Sequence, residues 1–275
     1  MIDIRVLLEN TTNSKSLKSK HGLSIAINSK KNILLDAGPD ETFSNNSKIM
    51  GIDINTFDFM VLSHSHIDHG GGIDAFCKEN NHARIYMLEN EDHKYYVKMA
   101  GIINMPVGLK YSQDFRTRIS KLKTNAKIDE GIWFIKYPIR TFKTPKFNNS
   151  LYVKKNGKYV QDDFSHEGIL VIEDNGELVL FNSCSHGGVL NSIESVSMEF
   201  PGKKIRSYVG GFHFFNPMNK KHETDEDMKQ LVDYVKEKGI HLYTGHCTGE
   251  YCYNYLKKNL NELIDKLQTG LETAV

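Results

Sequence analysis

Apolar residues along this chain come in short runs broken by polar loops, and helical stripes are few. Ile2 to Glu9 alternates like a strand, and a polar Asn/Thr/Ser/Lys loop follows to Lys20. Leu23 to Asn28 and Ile33 to Asp36 flank Ser29-Lys30-Lys31-Asn32 as the arms of a β-hairpin. Phe43 to Met50 reads as a short helix, Phe57 to Leu62 as a buried strand, Gly70 to Asn80 as a helix and Arg84 to Leu88 as another strand. From 99 to 165 the pattern loses its period, and this stretch is expected to be an insertion or lid-like segment. Order returns in a hairpin, Gly168 to Glu173 and Glu177 to Asn182, around Asp174-Asn175-Gly176. Then come a helix from Val189 to Phe200, a strand from Lys204 to Val209, and a helix from Asp225 to Lys238 with Met228, Leu231, Val232 and Val235 on one face. A strand at Ile240 to Thr244 and a terminal helix from Tyr251 to Leu267 close the pattern. Strands alternating with helices predict an α/β layered fold.

Composition narrows the class. With 275 residues the chain can bury one extended core, and 35 Lys+Arg against 34 Asp+Glu argue against a general nucleic-acid binder. Four scattered cysteines, Cys77, Cys184, Cys247 and Cys252, contain no CxxC pair and predict reduced thiols. The N-terminus has too short an apolar run for a signal peptide, and no run approaches a membrane span, so a soluble cytoplasmic protein is expected. Charge is uneven, however. Residues 99 to 147 hold ten Lys+Arg against three acids. That excess either attracts an anionic substrate, with Arg116 and Arg118 as candidates, or is a solvated lysine-rich surface.

The chemistry concentrates in His64-Ser65-His66-Ile67-Asp68-His69-Gly70-Gly71-Gly72. His64 and His66 are two apart in extended chain and point to one side, while Asp68 and His69 sit where the chain turns into a helix. Three imidazoles and a carboxylate converging at a strand end suit a Zn-like divalent ion. With 12 His and 17 Asp in the chain, HxHxDH arises by chance in roughly 1 in 1000 such chains.

HxHxDH after an apolar strand, preceded by Leu34-Leu35-Asp36-Ala37-Gly38, resembles the metallo-β-lactamase superfamily. Asp163-Phe164-Ser165-His166-Glu167, Asn182-Ser183-Cys184-Ser185-His186-Gly187-Gly188, Gly210-Gly211-Phe212-His213-Phe214 and Gly245-His246-Cys247-Thr248-Gly249 are similar to its branch of metal-dependent hydrolases. Some members of that branch are dihydropterin–ribofuranosylaminobenzene phosphate synthases. The resemblance implies a four-layer αββα sandwich formed as a single domain over 1–275, with the insertion at about 99–165, and one or two divalent ions, Zn first, with Mn or Fe as alternatives. His64, His66 and His166 correspond to ligands of a first metal, and Asp68, His69 and His246 to those of a second. Cys184 stands where most of these hydrolases carry a bridging aspartate; a thiolate there binds one soft ion, and a buried apolar role is the alternative. His186 is a further ligand or substrate contact, and His213 a substrate or proton-transfer group. Asp36 is expected beneath the site, orienting a ligand imidazole. His21, His82, His93, His222 and His241 have no such context.

The implied activity is metal-dependent hydrolysis of an ester, lactone or phosphoester in a small, possibly anionic substrate. Asp68, His186 and His213 are its candidate catalytic groups, and no nucleic-acid or membrane partner is expected. Two alternatives stand beside it: a transferase joining a pterin to a ribosyl-aminobenzene phosphate, and a non-enzymatic metal-holding sensor.

Overall fold

A computed structural model of the chain describes residues 1–90, 94–99, 101–137 and 140–275, with residues 103 and 104 described by backbone alone. His93 therefore lies outside the described residues. The chain folds into two compact units, one comprising Met1–Lys123, Leu151–His166 and Gln268–Val275, the other Thr124–Ser150 and Glu167–Leu267. Both are mixed α/β, the class that the strand–helix alternation predicts.

The first unit is built on a seven-stranded sheet in the order Glu272–Ala274, Asp3–Leu8, Ser24–Asn28, Asn32–Leu35, Phe59–Val61, Arg84–Leu88, Ile119–Leu122. The hairpin expected around Ser29 to Asn32 is present, with Ile27 opposite Ile33. From Asn32–Leu35 onward the pairs are parallel. Parallel strands covered on both faces need unbroken apolar runs, and Ile33, Leu34, Leu35, Met60 and Val61 are all fully buried. Helices Thr42–Ile49 and Ile73–Glu79 set Phe43 and Phe76 into this core. Each such phenyl ring contributes about 2–3 kcal/mol by leaving water. A separate antiparallel sheet, ordered Lys158–Gln161, Leu151–Lys155, Lys94–Met99, Ile102–Pro106, completes the unit.

The second unit carries its own seven-stranded sheet, ordered Ile264–Lys266, His241–Thr244, Ile205–Val209, Glu177–Phe181, Gly168–Asp174, Ile132–Lys136, Ala126–Asp129. Helix Asp225–Lys238 has the expected bounds for a physical reason. Thr224 accepts the Asp227 amide at its start, Gly239 takes a left-handed conformation at its end, and Met228, Leu231, Val232 and Val235 are buried.

The stretch from 99 to 165, whose pattern loses its period, supplies six strands, of which Ile119–Leu122, Ala126–Asp129 and Ile132–Lys136 belong to the two large sheets. One expectation needs correction. The terminal helix stops at Leu260, because Asn261 turns to φ 51°, and the chain then adds the sheet strands Ile264–Lys266 and Glu272–Ala274. Among the described residues no helix is long and apolar enough to cross a membrane.

Arg118 is absorbed by the fold. Its guanidinium donates to the carbonyls of Cys77, Asn80 and Ala83 and lies over the Phe76 ring. It is thus a clamp on the end of helix Ile73–Glu79, and not a group held out for an anion. Arg118→Ala is expected to cost about 1–3 kcal/mol in urea unfolding, because carbonyls lose charged donors. Arg116→Ala, at an exposed position, should stay within about 0.5 kcal/mol; equal effects would contradict the clamp.

Candidate metal centre

The centre of the first unit forms at the carboxyl ends of its parallel strands, where such sheets leave room for ligands. Strand Asn32–Leu35 ends in Asp36, which takes the left-handed φ of 56°, and strand Phe59–Val61 runs into Ser63 and His64. The loop 63–72 is pinned back on the turn 36–39. The Ala37 amide donates to the His69 carbonyl at 2.7 Å, and the Gly72 amide to the Gly38 carbonyl at 3.0 Å. A Cβ on Gly71 would come within 2.1 Å of the Pro39 carbonyl oxygen, and one on Gly72 within 2.3 Å of that of Ala37. The glycines after HxHxDH are therefore required by this close approach.

Asp36 is fully buried and organises two imidazoles. One of its oxygens accepts the Ser63 amide at 2.8 Å, the other the Ser63 hydroxyl at 2.7 Å, and His69 Nδ1 lies 2.7 Å from that second oxygen. A carboxylate only accepts, so His69 Nδ1 carries a proton. The Ser63 hydroxyl has given its one proton to Asp36, so at 2.8 Å it accepts from His64 Nδ1. Through this network both His64 and His69 are turned to present Nε2, the arrangement of ligand imidazoles with carboxylate backing.

The rings cluster. His64 lies with ring centroids 4.7 Å from His66 and 4.3 Å from His69, and His66 lies 5.5 Å from His166. Asp68 Oδ2 stands 3.4 Å from His69 Nε2 and 3.5 Å from the exposed His21. Burial, reinforced by the neighbouring imidazoles, holds His64 well below the usual histidine range and His66 down to about 4. Burial acts the same way on His69, but the Asp68 and Asp36 carboxylates outweigh it and raise that group to about 10. A metal takes neutral imidazole, so His64 and His66 are ready ligands and His69 would release a proton on binding. In nitrogen and oxygen donor type this set fits a Zn-like ion.

His166 sits differently. Its Nδ1 accepts the Ser65 amide at 3.0 Å and its Nε2 faces Asp162 Oδ2 at 3.2 Å, so both ring nitrogens are engaged by protein groups. Tyr95 packs on it at 4.3 Å. The ligand atoms of His66, Asp162 and His166 nevertheless lie within 4.8 Å of one another. Asp162 and Tyr95 escape sequence reasoning because neither belongs to a motif.

The second unit holds the remaining candidates at the ends of its own strands. Cys184 follows Glu177–Phe181, His213 follows Ile205–Val209, and His246 follows His241–Thr244. Ser185, His213 and His246 all take left-handed φ near 50°. Such strained backbone gathers at functional sites. The rings of His186 and His213 are 4.2 Å apart. Cys184 meets a second buried thiol, with 3.3 Å between its sulfur and that of Cys247, which also accepts the His213 amide. The ligand atoms of Cys184, His213 and Cys247 lie within 4.8 Å of one another. Cys247, in Gly245-His246-Cys247-Thr248-Gly249, was passed over in the sequence, although its place beside His246 marked it. Glu167, also missed, accepts the amides of His186 and Gly187 at 2.9 and 2.8 Å.

A family model described as metallo-beta-lactamase superfamily matches residues 21–135, which contain the whole HxHxDH loop and Asp36. Over that stretch the chain is similar to the metallo-β-lactamase superfamily. The 7,8-dihydropterin-6-methyl-4-(beta-D-ribofuranosyl)-aminobenzene-5'-phosphate synthase of Methanocaldococcus jannaschii is 27% identical over 280 residues, covering 92% of this chain and 89% of the relative. An uncharacterised protein of the same organism is 29% identical over 258 residues, 90% of each chain. A solved structure, described as Tm1679, a metal-dependent hydrolase of the β-lactamase superfamily, shares the fold with TM-score 0.83 at 23% identity, over 100% of this chain and 99% of that one.

The Asp36 network yields a prediction. Asn fits a left-handed position but cannot accept every proton that Asp36 accepts. Asp36→Asn is therefore expected to bind Zn about 10–100-fold more weakly, in competition with a chromophoric chelator, while remaining folded. Unchanged affinity would separate Asp36 from the metal.

Proposed function

We propose that the protein is a metal-dependent hydrolase that attacks an ester, lactone or phosphoester of a small, anionic substrate with water. The observation that carries this reading is the buried convergence of His64, His66 and His69, with the Nε2 atoms of His64 and His69 oriented through Asp36 and Ser63. His64, His66, Asp68 and His69 would hold one or two divalent ions, Zn by preference, with Mn or Fe as alternatives. The resemblance adds Cys184 and His246 to the ligands, with His166 as a further candidate if its Nε2 exchanges Asp162 for the ion. When bound, such an ion supplies Lewis acidity and lowers the pKa of a coordinated water toward neutrality.

The chain's own groups do the rest. Asp68, 22% exposed and beside His69, would ligate or orient the attacking water. His186 and His213, whose rings touch, are candidates to hold the substrate and return a proton to the leaving group. His166 fixes the Ser65 amide and so the course of the HxHxDH loop.

A second reading is favoured by one observation, the 27% identity over nearly the whole chain to a protein named as a dihydropterin–ribofuranosylaminobenzene phosphate synthase. In that reading the same ligands would serve a transferase joining a pterin to a ribosyl-aminobenzene phosphate.

The test is turnover by Zn- or Mn-loaded protein of aryl phosphodiesters and lactones, beside condensation of an activated dihydropterin with ribofuranosylaminobenzene phosphate. Hydrolysis supports the first reading and condensation alone the second; bound metal with neither activity returns the protein to a sensor role. His64→Ala with His66→Ala is expected to remove tightly bound metal and all turnover from a folded protein. Full metal content in that variant would overturn the assignment. Cys184→Ser is expected to lower the affinity of one metal while sparing the other, and identical stoichiometry and affinity would exclude Cys184 as a ligand.

A further inference from the structure

The local excess of positive charge between 99 and 147 resolves into groups with different fates. Arg118 clamps backbone carbonyls, while Lys143 and Lys146 pair with Asp227 and Glu223. Lys110 and Arg116 do neither. Together with Lys94 they line a groove of about 550 Å³ in the first unit, shared with Tyr95, Tyr96 and Tyr111. No carboxylate stands among the described residues that line it. The volume lies within the range of small-molecule sites.

The wall of the groove is tied to the loop that carries His64 and His66. Its segment 107–111 is tied to that loop by the Ile67 amide, which donates to the Val107 carbonyl at 2.8 Å, and by a bridge between His66 and Gly108. The Val107 amide in turn donates to the Tyr95 carbonyl at 2.9 Å, and the Tyr95 ring packs against His166 and His66. Tyr95 and Gly108 of the groove wall therefore adjoin His66.

We propose that this groove is the substrate-binding site for a planar aromatic group bearing a phosphate-type anion, its ring against the tyrosines and its anion held by Lys94, Lys110 and Arg116. The placement beside His66 rests on the hydrolase reading above; the groove's ligand chemistry does not. Aromatic side chains favour a flat ring over a flexible chain, and three cations with no carboxylate among the described lining residues favour a dianion.

Phenylphosphonate, which has both features and no ester to cleave, is the probe. Methylphosphonate carries the anion alone and benzamide the ring alone. Calorimetric titration of the metal-loaded protein is expected to show phenylphosphonate binding about tenfold more tightly than methylphosphonate, with benzamide weakest. Lys110→Ala with Arg116→Ala, both at exposed positions, should weaken both anions about tenfold. Tyr96→Leu should erase the preference for phenyl over methyl and leave methylphosphonate unchanged. The same pattern should persist in His64→Ala with His66→Ala. Equal affinity for the two phosphonates, or indifference to Lys110 and Arg116, would overturn the proposal. Binding that is lost with His64 and His66 but ignores the groove variants would overturn it too, placing the anion on the metal and leaving the hydrolase reading intact. Groove-dependent binding in an unsubstituted protein that takes up no Zn or Mn would support the groove and count against that reading.

Discussion

The structure of the first unit depends on where the protons around Asp36 go. A buried carboxylate is tolerated only when its lone pairs are occupied, and here a backbone amide, a hydroxyl and an imidazole occupy them. The three donors come from a loop that would otherwise have no reason to lie over the sheet end. Asp36 thus converts a desolvation cost into an orientation, fixing His69 directly and His64 through Ser63. The left-handed turn at Asp36 aims the carboxylate at the loop, and the glycines of 70–72 let the two backbones touch. Removal of any one of these features undoes the others, because each supplies the geometry the next requires.

Burial tunes this cluster in two directions at once. His64 and His66 have mainly imidazole neighbours, so desolvation and mutual repulsion keep them neutral. His69 has carboxylates on both sides, and these hold a proton on it despite equal burial. Neutral donors and one group that exchanges its proton for a cation are what a divalent site needs before the ion arrives. The same neighbourhood explains why the histidines can be packed so closely without a buried net charge.

How much of this could be read from the sequence followed from how local each feature is. HxHxDHGGG and Asp36 were legible because the residues that meet are contiguous or close a single strand. The hairpins and helix Asp225–Lys238 were legible for the same reason, with turn and cap residues at fixed offsets. Asp162, Tyr95 and Glu167 were not, because what gives them meaning is a partner brought up by tertiary packing; only the neighbouring His166 hinted at Glu167. The stretch from 99 to 165 lost its period because its strands are only four or five residues long and are shared among three sheets, and register shifts interrupt Ile132–Lys136 and Lys94–Met99. Periodicity needs a longer window than these strands offer. The terminal helix was overextended because its apolar spacing continues past Asn261, and only the backbone reversal there separates helix from strand.

The second unit meets a related constraint with different atoms. Its loop after Glu177–Phe181 carries Cys184 and His186, and a fully buried Glu167 accepts two successive amides of that loop. Ser185, in the left-handed region, is held by its hydroxyl against the Gly211 carbonyl at 2.6 Å, and the Phe212 amide is held by Thr248 at 3.1 Å. The strain at Ser185, His213 and His246 is therefore borne by hydrogen bonds that link three strand ends to one another. Loops so fixed cannot readily adapt to a ligand; they must already have its shape. Asp36 in one unit and Glu167 in the other thus perform the same task, since the oxygens of each accept from several donors of a neighbouring loop and hold them at one point. A fold that places its chemistry on loops needs such anchors, and a buried carboxylate is the side chain that can collect several N–H and O–H groups at one point.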